Sequence, residues 1–246
     1  MRTRKQLPAF GYLDNVHIDI DALVQHLLEH NLMDWDSYNC CRYSTANHSY
    51  QGLIAASHIT YNQYFKEENA QDLESSKFRQ VQLTEFEGVP SNKPVDISES
   101  SFVQRVRRLD PAHPEYLPEA DELNYGRRGP LVVGEIEKIF NKFSSKITRA
   151  RLNYLAPGHE IKPHIDYDPS FITRYHIPVL TNPAVKMYIE KQGCEYEQHL
   201  PADGRVYFFN AGFKHWVKNQ SDLSRLHLIV DVHGQQELDH LVTLDR

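Results

Sequence analysis

After Lys146 the chain breaks into eight short segments of β character, each closed by turn residues. In order they are ITRARLNYLA, IKPHIDYD, ITRYHIPVL, VKMYIE, CEYEQHL, RVYFFN, KHWVKN and RLHLIVDV, separated by PG, PS, TNP, KQG, PADG, AG and QSDLS and closed by HG. Short strands at this spacing leave few folds open. They fit a double-sheet sandwich or jelly roll. Three of the segments also alternate. In RLHLIVDV, Leu226, Leu228 and Val230 form one face and Arg225, His227, Ile229 and Asp231 the other. In RYHIPVL, Tyr175, Ile177 and Val179 oppose Arg174, His176 and Pro178, and in RLNYLA, Arg151, Asn153 and Leu155 oppose Leu152 and Tyr154. Two arrangements fit: a solvated outer polar face, or a polar face turned inward around a pocket while other elements cover the apolar side. Alternation alone does not choose between them.

Those other elements lie upstream. In IDIDALVQHLLEH, Ile20, Leu23, Val24, Leu27 and Leu28 fall at helical spacing, with Asp19 placed to cap the helix. A second helix follows Pro130 in LVVGEIEKIFNKF, with Val133, Ile136, Phe140 and Phe143 on one face. Between about 37 and 118 only short β-like runs appear, GLIAASHITY and FRQVQLTEF, with no sustained period. No Gly/Ser-rich linker divides the chain. The expectation is therefore one domain over 1–246, of α+β class: an α-rich part to 145, a β core over 146–234 and a short tail over 235–246.

Composition sets limits on function. A net charge of −6 opposes general binding to nucleic acid. No apolar run reaches the length needed to cross a bilayer, and MRTRKQLPAFGY lacks the apolar stretch of a secretory signal. The three cysteines, Cys40, Cys41 and Cys194, form neither a disulfide framework nor a zinc spacing. These features point to a cytoplasmic protein with no membrane or nucleic-acid partner.

The tripeptide HID occurs twice. At His17 to Asp19 it precedes the first helix, where the aspartate caps and residues two apart diverge, so the pair is poorly placed to hold an ion. At His164 to Asp166 it falls in a β-like segment, where residues two apart share a face. There the imidazole and carboxylate can occupy adjacent positions on one metal ion, with His215 of GFKHWVKN as the third ligand from a neighbouring strand. Two histidines and one carboxylate leave three positions open, the facial arrangement of non-haem Fe(II) oxygenases. Taken alone, His164 and Asp166 fit an ordinary His–Asp pair at a strand edge better than a pair of metal ligands.

Read together, PGHEIKPHID, RYHIP, GRVYFFNAGFKHWVKN and RLHLIVDVH resemble, in order and spacing over roughly residues 150–233, the aspartyl/asparaginyl β-hydroxylase group of Fe(II)- and 2-oxoglutarate-dependent oxygenases. The resemblance implies a double-stranded β-helix, a cupin-like jelly roll, with N-terminal helices packed on its outer sheet. It places His164 and His215 on the iron-binding histidines, and Arg225 on the arginine that holds the distal carboxylate of 2-oxoglutarate. Arg174 and His176 fall on the pair near the iron-proximal carboxylate, and Asn153 stands where the family usually has a hydroxyl contact. Some members lack the carboxylate ligand; Asp166 supplies it here and argues against a halide-binding site. The implied reaction takes Fe(II), O2 and 2-oxoglutarate, releases succinate and CO2, and hydroxylates an unactivated C–H bond.

For substrate contacts the candidates are Tyr167 and Asp168 after the metal segment, Trp216 beside His215, and Arg127 and Arg128 in LNYGRRGP. The arginine pair also fits a solvated basic turn; facing a pocket, it would suit a carboxylate. The substrate class favoured is a small amino acid or derivative, with an Asp, Asn or Pro residue of a peptide or protein second. From a different class, a non-catalytic cupin module binding a metal or small acid would not need His164, Asp166, His215 and Arg225 all together.

Overall fold

The computed structural model describes residues 1–33, 78–87, 111–114, 116, 118 and 121–245. In chain order these give β1 (Phe10–His17), α1 (Ile20–Glu29), β2 (Phe78–Gln82), β3 (Thr84–Glu85), β4 (Arg127–Arg128) and α2 (Gly134–Phe140). The eight downstream segments follow as β5 (Lys146–Leu155), β6 (Glu160–His164), β7 (Thr173–Leu180), β8 (Val185–Lys191), β9 (Cys194–Gln198), β10 (Arg205–Phe209), β11 (Lys214–Asn219) and β12 (Arg225–His233), and β13 (Leu241–Thr243) closes the set. The run FRQVQLTEF becomes β2 and β3, whereas GLIAASHITY lies outside the described residues.

The strands divide into two main sheets. The larger has the order β13-β1-β10-β7-β12-β5-β2 and the smaller β6-β11-β8-β9, while β3 and β4 pair separately. Thus β5, β7, β10 and β12 lie in one layer and β6, β8, β9 and β11 in the other, and the chain shuttles between them. Neighbours within each layer run antiparallel. This is the two-layer arrangement of a jelly roll, a β-sandwich of cupin type.

The β core is wider than the expected 146–234. Strands β1, β2 and β13 extend the larger sheet at its two sides. The reason is local: β13 has three residues, too few to show a period, and it is fixed by pairing with β1 and by the Asp245 carboxylate. That carboxylate accepts from the Ala9 and Phe10 N–H groups at 2.7 and 2.8 Å. His17 likewise ends β1 opposite Arg205 instead of opening a helix, although Asp19 does cap α1, accepting from Ala22 N at 3.0 Å.

Alternation decides which face is buried against what. Leu152, Tyr175, Ile177, Val179, Phe208, Leu228 and Val230 share one apolar cluster with Leu23 and Leu27 of α1 and Ile136, Ile139 and Phe140 of α2. Val133 is left exposed as the residue before α2, because Gly134 takes a positive φ of 54° and breaks the expected run. The inner face of the larger sheet meets the smaller one. Phe10, Leu155, Tyr207 and Phe209 pack there against Val185, Met187, Ile189 and Val217. With both faces covered, the polar side chains of β5, β7 and β12 are enclosed, not solvated. The sequence had left this choice open.

Candidate active site

Three ligand-type side chains meet between the sheets. His164 ends β6, Asp166 lies two residues beyond in the following loop, and His215 sits on β11, paired directly with His164. One ligand atom from each falls within 4.8 Å of the others, and this is the metal-capable group found among the described residues. His164 Nε2 and His215 Nε2 stand 3.9 and 3.7 Å from the same oxygen, Asp166 Oδ2. The backbone fixes both rings: His164 Nδ1 faces Lys162 O at 2.7 Å and His215 Nδ1 faces Phe213 O at 2.9 Å. Each Nδ1 therefore carries the proton, and each Nε2 presents its lone pair to the centre. Burial holds the His215 imidazole down at about 4, with the Asp166 carboxylate opposing that effect, so the ring is neutral at physiological pH.

The strand expected to carry both His164 and Asp166 stops at the histidine. Asp166 is brought to the group by its own N–H, which donates to Ala211 O at 3.0 Å, and by Arg174, whose Nη1 donates to Asp166 Oδ2. Burial works to raise the Asp166 carboxyl, but Arg174, His215 and His164 outweigh it and keep the group well below the usual carboxylate range.

A second cluster lies deeper. Arg225 is buried in full, and its Nε and Nη1 have no hydrogen-bond partner. Its Nη2 donates to His227 Nδ1 at 2.8 Å, so His227 carries its proton on Nε2, which is also buried and unpartnered. His176 Nδ1 lies 3.2 Å from the same His227 nitrogen, and the His176 ring packs edge-on against Phe209, which in turn meets His215. This chain of contacts joins the deep cluster to the ligand group. Burial alone lowers the Arg225 guanidinium to about 9, and among the described residues no carboxylate pairs with it. A buried cation left like this is costly, and an anionic ligand relieves it. Asn153 Oδ1, opposite His227 in register, is buried without a partner as well. These residues fit the far carboxylate of 2-oxoglutarate, and the triad fits a first-row divalent metal with open positions.

Arg174 is otherwise engaged. Its Nε and Nη2 donate to the two oxygens of Asp231 at 2.7 and 3.0 Å, and Arg151 Nη1 donates to Asp231 at 2.7 Å. Glu122, in a 3-10 turn over Glu122–Asn124, is buried beside this network with neither carboxylate oxygen hydrogen-bonded. Burial, reinforced by Asp231, pushes its carboxyl up to about 8. Nothing in the sequence marked Glu122, whose turn has no period. His227 and Asp231 could have been found, because period two places them on the face of Arg225.

The proposed substrate contacts separate. Trp216 neighbours His215 on a strand and so turns to the opposite face, where it stacks on Tyr188 at 5.2 Å. Asp168 closes a turn, accepting from Ser170 N and Oγ and from Arg4 N. Arg127 donates to Glu85 at 2.8 Å, and Arg128 to Asn141 at 2.7 Å and Glu137 at 3.4 Å, all on the exposed side near α2. These four are engaged with partners outside the ligand group. Tyr167 is buried in the loop that follows His164, its ring against Phe171.

Residues 117–234 match the profile of the family described as Aspartyl/Asparaginyl beta-hydroxylase, just under half of the chain. The segment that builds the site is similar to this family. The matched segment spans the 3-10 turn of Glu122, α2 and β5 to β12. No curated protein matches the chain. Among solved structures, an oxidoreductase of the 2OG-Fe(II) oxygenase family from Burkholderia pseudomallei is similar at 14% identity and a TM-score of 0.37, over 64% of this chain and 68% of that one. A cupin domain from Bordetella pertussis reaches 20% identity and a TM-score of 0.28, over 35% and 81% of the two chains. An oxalate oxidase reaches 15% and 0.28, over 39% and 45%. Likeness at this level says nothing about activity.

Proposed function

We propose that the protein is an Fe(II)- and 2-oxoglutarate-dependent dioxygenase that hydroxylates an unactivated C–H bond of a small amino-acid-like substrate. The observation that carries this reading is the buried Arg225 guanidinium, without an anionic partner, joined through His227, His176 and Phe209 to the His164, Asp166 and His215 group. A metal alone would not need the arginine, and an acid alone would not need the triad.

In this reading His164, Asp166 and His215 hold the iron. Arg225 and the Nε2–H of His227 bind the distal carboxylate of the cosubstrate, Asn153 lies beside it, and His176 borders its iron-proximal end. Bound iron and 2-oxoglutarate supply the oxidising chemistry, consuming O2 and yielding succinate and CO2 as the substrate is hydroxylated. The protein's own work is to orient and to keep water out. His215 and Phe209 close the inner side, while His164, partly exposed, borders the mouth.

The family description supports hydroxylation of an Asp or Asn residue in a peptide or protein as a second reading. A succinate-release screen over free amino acids, their derivatives and short peptides separates the two. The non-catalytic cupin reading is tested by adding Fe(II) and 2-oxoglutarate without oxygen. A visible metal-to-ligand charge-transfer band supports the oxygenase, and its absence in folded, iron-loaded protein overturns it.

A further inference from the structure

Asp166 has no strand to hold it, since β6 ends at His164. What sets its carboxylate is a relay of side chains. Arg174 Nη1 donates to Asp166 Oδ2, the oxygen that faces both histidine Nε2 atoms. The same guanidinium is clamped from behind, because its Nε and Nη2 form a bidentate pair with Asp231 at 2.7 and 3.0 Å. Asp231 itself is immobile: it is fully buried, stands directly opposite Arg174 in the β12–β7 register, and also accepts from Arg151 at 2.7 Å. A bidentate fork fixes the plane of a guanidinium as well as its position.

We propose that Asp231 and Arg174 are positioning residues for the metal centre: Asp231 fixes the plane of Arg174, and Arg174 fixes the rotamer of Asp166 that presents Oδ2 to the ion. This rests on the reading of His164, Asp166 and His215 as the metal site. It reassigns Arg174 from the cosubstrate contact that the family resemblance implied.

Two considerations support it. First, a buried ion pair is a poor source of stability, and the opposite face of the same strands carries Tyr175, Ile177, Leu228 and Val230 at neighbouring positions. An apolar pair would serve the fold there equally well, so the charges answer to another need. Second, Arg149, Arg151 and Arg174 are all buried on this inner face, and three cations would repel a divalent metal. Asp231, bonded by both Arg151 and Arg174, sets one negative charge against them. Asp166 Oδ2 has lone pairs enough to accept from Arg174 and still bind an ion.

The test is Co(II) binding to the purified apoprotein, by calorimetry and by the visible d–d band, without any turnover. Asp231→Asn is expected to weaken Co(II) about 10- to 100-fold, the usual cost of losing a partner behind a metal ligand. Arg174→Lys, which keeps a cation but cannot fork between two carboxylates, is expected to do the same and serves if Asp231→Asn fails to fold. The deciding measurement is a double-mutant cycle. In an Asp166→Ala background either substitution should cost no further affinity, because its route to the metal is gone. Wild-type affinity in both single variants overturns the proposal, as does an undiminished loss in the Asp166→Ala background, which would mean a general effect on the fold. If the wild-type protein itself bound no Co(II), the metal reading would fall and this proposal with it.

Discussion

Arg225 and Glu122 are both buried without a matching charge bonded to them, yet they make opposite demands. Arg225 lacks an anion, so Arg225→Ala should weaken 2-oxoglutarate binding far more than metal binding, as read by calorimetry with each ligand. Equal losses would instead indicate damage to the fold. Glu122 is tolerated by staying protonated. Its carboxyl titrates at about 8 in the folded chain against an ordinary 4.5, so between those values the folded state holds a proton that the unfolded state has released. Stability should therefore fall as pH rises through that window and level off above it. Glu122→Gln should flatten this slope, leaving the variant more stable than the parent at pH 8.5; parallel thermal-melt profiles against pH would contradict the assignment. The grouping of His164 and His215 was readable in the sequence from strand geometry, and Arg225 entered only through the family resemblance. Glu122 was not readable, because its burial comes from what packs around a single irregular turn.

At the scale of elements, period two told most of the story and was misapplied once. It grouped Arg174 and His176 with Arg225 and His227 by face, and the structure encloses that face. Applied to β11, the same rule sends Trp216 away from His215, so its candidacy as a pocket residue could have been rejected from the sequence. For Asp166 the rule reached the right partner by the wrong route, since a loop and an arginine do what a strand was expected to do. Strand β13 was unreadable for want of length. The helices offer two checks. Asp19→Ala removes the acceptor for Ala22 N and should cost about 1 kcal/mol in denaturant unfolding, with the site unaffected. Gly134→Ala should cost at least as much, about 1–2 kcal/mol for the positive φ alone. A Cβ there would also lie 2.8 Å from the His26 ring, which would have to shift.

Over the whole molecule, two sheets trap polar side chains that neither could bury alone. Binding that favours only the folded state raises stability by mass action, about 2.7 kcal/mol at a hundredfold excess over the dissociation constant. A metal with 2-oxoglutarate should therefore raise the melting temperature of the wild-type protein. The cosubstrate's share of that rise should vanish in Arg225→Ala, and the metal's share should shrink in Asp166→Ala. Among the described residues no helix is long and apolar enough to cross a membrane.

The three ligands are unequally sheltered: the His215 side chain is 4% exposed, that of Asp166 26% and that of His164 41%. An ion held by them would have one door. Its release can begin by rotation of the rim histidine, while the two inner ligands stay in place and no strand has to part. Metal exchange is then expected on the timescale of a side-chain motion coupled to ligand loss, far faster than global unfolding. A chelator small enough to reach His164 would strip the ion at a rate that rises with its concentration, while a bulky one would have to wait for spontaneous release.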